Sequence, residues 1–394
     1  MNQNIMNEAL RTLKTPFYLF NTDASAAKVE ALRKKMPERV KLCYAVKANP
    51  FLIRDLEPVV DRFEVCSPGE FRICQRTRIP MTKVVLSGVY KNPEDVAHVM
   101  EQYGGQITYT AESRAQWNAI ADSAHRLDKQ VKVLLRLTMG NQFGMDPQEI
   151  KAILRNPTSG VQVEGIQFFS GTQKKAPGRI QRELDHLDDF LTELEQECGW
   201  RAGMLEYGPG LPVRYFEGEK DPAPELEEAL QKGLEQMRFQ GPVTLELGRY
   251  FAACSGSYVT SIVDVKTNLD RRYCIVDGGI HQVNYYGQML ATKRPPVTVH
   301  PQRSGDSEDY TICGALCTAN DVLLKEFPMT DPQPGDMLVF DRTGAYSPME
   351  GIALFLSRDL PRIALYSDRS GLRLVRESIP TDQWNGENEM ENQM

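Results

Sequence analysis

The chain has 394 residues, more than one hydrophobic core usually organises, so its length predicts two domains or one barrel with an appendage. With 46 basic against 53 acidic side chains the formal charge is −7, and no Lys/Arg cluster interleaved with aromatics offers a footprint for nucleic acid. No apolar run reaches the roughly 18 residues of a membrane span, and Met1 to Lys14 lack the charged-then-apolar profile of a signal peptide, so a cytoplasmic protein without a membrane partner is expected.

In chain order, the run Phe17–Phe20 reads as an isolated strand ahead of the first long helical segment. Short apolar, β-prone runs then alternate with stretches of helical period: Val40–Val46, Phe63–Cys66, Lys83–Ser87, Gln106–Tyr109, Val131–Leu137, Val161–Phe168, Gly203–Tyr207 and Val243–Glu246. Ser67-Pro68-Gly69-Glu70 and Asn92-Pro93 carry helix-start signatures, a capping side chain followed by Pro at the first helical position. Eight β-then-α units over about 220 residues fit a (β/α)₈ TIM barrel better than an open doubly wound sheet. Beyond about residue 255 the pattern turns β-rich, with Gly256–Lys266, Tyr273–Val276, Tyr310–Cys313 and Met337–Asp341 separated by Asp-Gly-Gly, Pro-Gly-Asp and Thr-Gly-Ala turns. The expected division is therefore an α/β barrel over residues 25–255 and an all-β domain over 256–380 that also takes strand 15–22. The polar residues 381–394 are expected to be disordered.

The eight cysteines are scattered and suggest no disulfide framework, and Cys313 with Cys317 lacks the second pair or nearby His of a zinc site, so no metal is expected. In a barrel the chemistry gathers at the carboxyl ends of the strands. Lys47 stands there after the first strand, Arg136 near the end of the fifth, Phe169 after the sixth, Gly208-Pro209-Gly210 after the seventh and Glu246-Leu247-Gly248-Arg249 at the eighth. Glycines in the last two loops let backbone N–H groups approach a phosphate, although Gly-Pro-Gly alone also reads as a plain turn. Lys47 ends an apolar strand, where an ammonium is disfavoured unless it is paired or converted to an imine; read alone, it is far more often a solvent-facing lysine.

The words around these positions decide between the readings. Tyr44-Ala45-Val46-Lys47-Ala48-Asn49, Val65-Cys66-Ser67-Pro68-Gly69-Glu70, Gly208-Pro209-Gly210, Glu246-Leu247-Gly248-Arg249, Cys313-Gly314-Ala315-Leu316-Cys317-Thr318-Ala319-Asn320-Asp321 and Gly344-Ala345-Tyr346 occur in that order. Together they resemble the fold-type III pyridoxal-phosphate decarboxylases, the family of the diaminopimelate and ornithine decarboxylases, from about Thr15 to about Tyr366. The resemblance implies an alanine-racemase-like barrel with a C-terminal β domain, and pyridoxal 5'-phosphate held as a Schiff base on Lys47. It implies that Glu246 pairs with the pyridine nitrogen, and that Gly208, Gly210, Gly248, Arg249, Thr172 and Tyr346 hold the phosphate, with Arg136 also at the cofactor. Cys317 resembles the residue that returns a proton to Cα after CO₂ leaves, reaching the pocket from a second subunit of a head-to-tail homodimer with shared sites.

Departures from the family pattern bear on the substrate. Thr318 stands where the family has Glu or Asp to grip the distal charge of the substrate, and a neutral hydroxyl supplies no such pairing. Phe169 takes the place of the ring-stacking His; it can stack but not hydrogen-bond. Leu247 replaces the Pro of Glu-Pro-Gly-Arg. The Cys-Thr-x-x-Asp-Val wording at Cys317–Val322 resembles a siderophore branch acting on citrate-conjugated amino acids, and Asp277-Gly278-Gly279-Ile280-His281 resembles secondary-metabolite relatives, some with carrier-tethered substrates. A modified or conjugated amino acid is therefore the expected substrate, contacted by Thr318 and by His281 unless that histidine is structural, with free diaminopimelate as the alternative. A racemase on the same fold and a non-catalytic member are the other readings weighed; the Cys317 motif and the joint presence of Lys47, Glu246 and Arg249 speak against them.

Overall fold

The structure, a computed structural model, describes residues 3–387. It divides into two compact units, one of Ala26–Val213 with Asp221–Phe251, the other taking the N-terminal residues to Ser25, the segment Arg214–Lys220 and the chain from Ala252 onward. Strands are numbered from β1, Phe17–Asn21, which lies in the second of these. No helix among the described residues is long and apolar enough to cross a membrane.

The first unit is a closed barrel of eight parallel strands: β2 Val40–Ala45, β3 Arg62–Val65, β4 Val84–Leu86, β5 Thr108–Ala111, β6 Val131–Arg136, β7 Val161–Phe169, β8 Met204–Gly208 and β9 Val243–Leu247. It closes where β9 pairs with β2, setting Glu246 opposite Cys43. Side chains alternate between the barrel axis and the helical layer. The axial set is unusually polar, because the Cys43 thiol senses the charges of Glu206, Glu246 and Glu64 from three other strands. Helix entry follows the capping chemistry of the sequence. Ser67 Oγ accepts from Glu70 N–H at 3.1 Å and Glu70 Oε2 accepts in return from Cys66 N–H at 2.7 Å, with Pro68 at the helix start. Ser113 and Gln116 repeat this exchange ahead of helix Arg114–Arg126, at 3.2 and 3.0 Å.

The second unit is built on a nine-stranded mixed sheet. Its further strands are β10 Gly256–Asn268, β11 Arg271–Val276, β12 Val297–His300, β13 Glu308–Cys313, β14 Val322–Met329, β15 Met337–Asp341, β16 Arg362–Ser367 and β17 Gly371–Arg376. The main path runs β14-β13-β11-β10-β1-β16-β17, with β15 between β10 and β12. Strand β1 pairs antiparallel with β10 and parallel with β16, so the expected opening strand sits in the middle of this sheet. Helix Gln3–Thr12 lays Ile5, Met6 and Ala9 on a core of Phe17, Leu19, Val259, Val339 and Ala364.

Several elements differ from the sequence reading. Helix Gln3–Thr12 and strands β12, β14, β16 and β17 had no counterpart there. Pro328 inside β14 and the largely exposed face of β17 explain two of them, because Pro and an unburied, charged pattern both weaken a strand signal. The segment Arg214–Lys220 groups with the β unit, where Glu217 N–H donates to Arg294 O at 2.9 Å and the Phe216 ring lies 5.9 Å from that of Tyr285. Residues 381–387 are ordered rather than disordered: Thr381 is buried, its hydroxyl donates to Arg358 O at 3.0 Å, and a short helix spans Asp382–Asn385. The rest of the expected disordered tail, 388–394, lies outside the described residues.

Candidate active site

Lys47 sits in a single 3₁₀ turn, Val46–Ala48, that directly follows β2. Its ammonium donates to Glu64 Oε2 at 2.7 Å and reaches Glu246 Oε1 at 3.4 Å and Cys66 Sγ at 3.7 Å. Glu64 and Glu246 are 2 % and 7 % exposed, so one cation serves two buried carboxylates. Burial alone would raise both. For Glu64 the charge and hydrogen bond of Lys47 overcome burial and hold the carboxyl well below the usual range. Glu246 is raised by burial and then by the negative charge of Glu64, so it retains its proton where an ordinary glutamate would have lost it. The Cys66 thiol, which donates to Glu64 Oε1 at 3.1 Å, is pushed up by burial and by Glu64 and stays protonated.

One layer further down, Glu206 is fully buried and accepts from Gln167 Nε2 at 2.7 Å. Burial raises its carboxyl to about 7, against the opposing pull of Arg62. Glu64, Cys66, Glu206 and Gln167 were not singled out from sequence. Polar residues at alternate strand positions read as a solvent face, whereas here they line the axis of a barrel.

The glycine loops lie where the strand ends placed them. Gly210 has φ 61°, and a Cβ there would stand 2.0 Å from Gly171 O; at Gly208 it would stand 2.2 Å from the Phe169 ring. Phe169, last residue of β7, pairs in register with Gly208 and so lies against its backbone. Arg249 Nε approaches Thr172 Oγ1 at 3.4 Å, and Gly248 packs on Ala48 beside Lys47. A buried Lys174–Glu183 pair, joined by Ser170 and Tyr207, stiffens this side; it too escaped the sequence reading. Arg136 forms an ion pair with Glu112 at 2.9 Å and covers the Phe143 ring at 4.8 Å. Near Glu112, Lys91 is lowered to about 8 by burial while donating to Gly88 O and Gln116 Oε1.

The remaining expected residues belong to the β unit. Cys317 and Thr318 lie on the connection between β13 and β14, with Cys317 exposed. Asp321 holds that loop by accepting from Leu316 N–H and Ile280 N–H, both at 2.8 Å. Thr318 Oγ1 accepts from Asn320 N–H at 3.3 Å. His281 is 2 % exposed, and neither ring nitrogen has a hydrogen-bond partner among the described residues; burial and then Arg358 lower it to about 4, so its ring is neutral at physiological pH. Tyr346 takes the left-handed conformation at φ 68°, and its carbonyl accepts from Met349 and Glu350.

Residues 23–253 match the family described as pyridoxal-dependent decarboxylase, pyridoxal binding domain. The chain belongs to the pyridoxal-dependent decarboxylases. It is thus an amino-acid carboxy-lyase whose cofactor is pyridoxal phosphate. Among similar decarboxylases, the diaminopimelate decarboxylase of Aquifex aeolicus is 23% identical over 86% of this chain and 84% of its own length. The L-glutamyl-[BtrI acyl-carrier protein] decarboxylase of Niallia circulans is 24% identical over 97% and 95%. Helicobacter pylori diaminopimelate decarboxylase, crystallised with L-lysine, shares the fold with a TM-score of 0.84 at 20% identity, covering 96% of this chain and 98% of that one.

Proposed function

We propose that this decarboxylase acts on an amino acid whose side chain is modified, conjugated to citrate or tethered to a carrier protein, in siderophore or secondary-metabolite biosynthesis. The observation that carries the proposal is Thr318. Its hydroxyl accepts from a backbone N–H and offers no charge to a distal ammonium or carboxylate, so selection of a free diamino acid or diacid lacks its natural counter-charge. Likeness to the carrier-protein decarboxylase along nearly the whole chain supports it. Free diaminopimelate is the second reading, favoured by the likeness to diaminopimelate decarboxylases.

The residues present fit the cofactor. Lys47 Nζ must lose its proton before it can bond to a carbonyl, and its hydrogen bond to Glu64 Oε2 at 2.7 Å fixes where the amine stands. Glu246, buried across the barrel, would pair with the pyridine nitrogen, while Phe169 offers a stacking face and Arg136 a further contact. Gly208, Gly210, Gly248, Arg249 and Thr172, with Tyr346, would hold the phosphate on backbone N–H groups and one guanidinium. Bound pyridoxal phosphate supplies an electron sink for the pair left on Cα when CO₂ departs. The Cys317 thiol would return the proton to Cα, and its exposure is suited to service in the site of a second subunit, as in a head-to-tail homodimer. His281, neutral and unpartnered, would orient substrate by hydrogen bonding rather than by charge. The setting proposed is the cytoplasm.

A CO₂-release assay comparing meso-diaminopimelate, ornithine and lysine with citrate-conjugated and carrier-bound amino acids tests the substrate class. At least about tenfold higher kcat/KM for the elaborated substrates is expected, the scale of one lost charge-assisted contact. Preference for free diaminopimelate would overturn the first reading in favour of the second.

A further inference from the structure

The amino-terminal mouth of the barrel, opposite the end that carries Lys47, is not sealed by apolar side chains. A cavity of about 550 Å³ opens there, and Lys41, Arg62, Trp117, Trp200, Arg201 and Thr244 contribute to its wall. Of the charged groups in its wall, Glu164 is paired with Lys132 at 2.9 Å and Arg201 with Glu195 at 3.4 Å, so Lys41 and Arg62 set the charge of the cavity. Two of its groups are short of hydrogen-bond partners, although the charge of Arg62 also acts on Glu206. Thr244 is fully buried, and its hydroxyl has no hydrogen-bond partner among the described residues. Arg62 is half-buried, and its guanidinium is hydrogen-bonded to Thr108 Oγ1 at a long 3.5 Å. Buried polar groups are normally satisfied, and a hydroxyl and a guanidinium left so at one cavity call for a ligand that accepts hydrogen bonds.

We propose that this mouth binds a small aromatic anion, an aryl carboxylate or aryl phosphate. The anionic group meets Arg62 and the Thr244 hydroxyl, both of which can donate to it, while the ring lies against the indoles of Trp117 and Trp200. The cavity volume falls in the range of small-molecule sites. Barrel chemistry occupies the other face, so the ligand is an effector rather than a substrate. The site is nonetheless near the catalytic charges: Arg62 and Glu64 are next-but-one neighbours on one face of β3, and Thr244 and Glu246 on one face of β9, each step about 6.6 Å. An anion seated here lies one layer below the carboxylates that flank Lys47.

The chain has three tryptophans, so a Trp384→Phe protein leaves the two indoles of this cavity as the fluorescent reporters. It is loaded with pyridoxal phosphate, which fills the phosphate site at the other mouth, and titrated with phenyl phosphate, benzoate and the neutral benzyl alcohol, with inorganic phosphate as a ringless competitor. Saturable fluorescence changes are expected with both aromatic anions. Benzyl alcohol and inorganic phosphate should bind at least about tenfold more weakly, the worth of one charge-assisted contact. Arg62→Met should weaken phenyl phosphate about tenfold, and Thr244→Val, which keeps the volume and removes the hydroxyl, about threefold. No saturable change with either anion would overturn the proposal. So would equal binding of benzyl alcohol or inorganic phosphate, or wild-type affinity in Thr244→Val and Arg62→Met together.

Discussion

The two units bury polar groups in opposite ways. In the β unit most are held by neutral hydroxyls and backbone: Tyr18 and Tyr258 both donate to Gln282, Asp277 accepts from Thr15, Thr260 and Ser261 N–H, and Asp321 accepts two backbone N–H groups, while the buried Asp336 is the carboxylate there that a guanidinium, Arg303, holds. In the barrel, three carboxyl groups from different strands crowd the axis, and the ammonium beside two of them is the one proposed to take the cofactor. The β unit therefore uses polarity to fix shape, whereas the barrel uses it to hold protons whose positions can change. His281 departs from this pattern in the β unit, as the Thr343 hydroxyl does, neither having a hydrogen-bond partner among the described residues; with Cys317 and Thr318, His281 has a proposed role at the substrate.

The largest effect expected from breaking this contrast is at Lys47. Lys47→Ala should cut decarboxylation more than about 10⁴-fold, the scale on which a covalent-catalysis residue fails. Steady-state CO₂ release, with the imine absorbance as a second readout, checks this. Cys317→Ala comes next, at about 10²–10⁴-fold in kcat, the usual contribution of a proton donor, with an unchanged melting temperature because the side chain is exposed. Mixing Lys47→Ala with Cys317→Ala protein should restore part of the activity if the sites are shared between subunits; mixtures as inactive as their components would contradict the head-to-tail dimer.

Glu206→Gln sharpens the barrel side. A carboxyl raised to about 7 from an unfolded value of 4.5 makes the folded state the tighter proton binder. Its contribution to stability is thus full below pH 4.5 and lost as pH rises through 7. Denaturant titrations should show the variant gaining on wild type by up to about 3 kcal/mol between pH 4.5 and pH 8. A difference independent of pH would mean that Glu206 is ionised throughout. The smallest effect is on the β side: Asp321→Asn leaves one of two backbone N–H groups without a full acceptor and should cost about 1–3 kcal/mol, read by denaturant titration. It should also lower kcat by loosening the Cys317 loop.

The same contrast explains what could be read from sequence. Barrel strands announce themselves as apolar runs between capped helices, and Lys47, Glu246 and the glycines stand in motifs with fixed wording, so both were legible. Glu64, Glu206 and Gln167 were not, because alternation of polar and apolar residues says which side chains share a face and not whether that face meets water. In the β unit the runs that became β10, β11, β13 and β15 were found, whereas β14 and β16, no less apolar, were not. Strand β14 carries Pro328 and β17 is largely exposed, whereas helix Gln3–Thr12, with Leu13 just after it, sets Ile5, Met6, Ala9 and Leu13 at helical spacing, a signal the reading of the sequence passed over.

The most direct test of the account is where the cofactor is attached. Protein saturated with pyridoxal phosphate is reduced with borohydride, digested and mapped by mass. A single pyridoxyl adduct on Lys47, with none on the half-buried Lys91 or the buried Lys174, is the predicted result. An adduct on another lysine, or none at all, would contradict the reading of the Glu64–Lys47–Glu246 cluster as the catalytic centre.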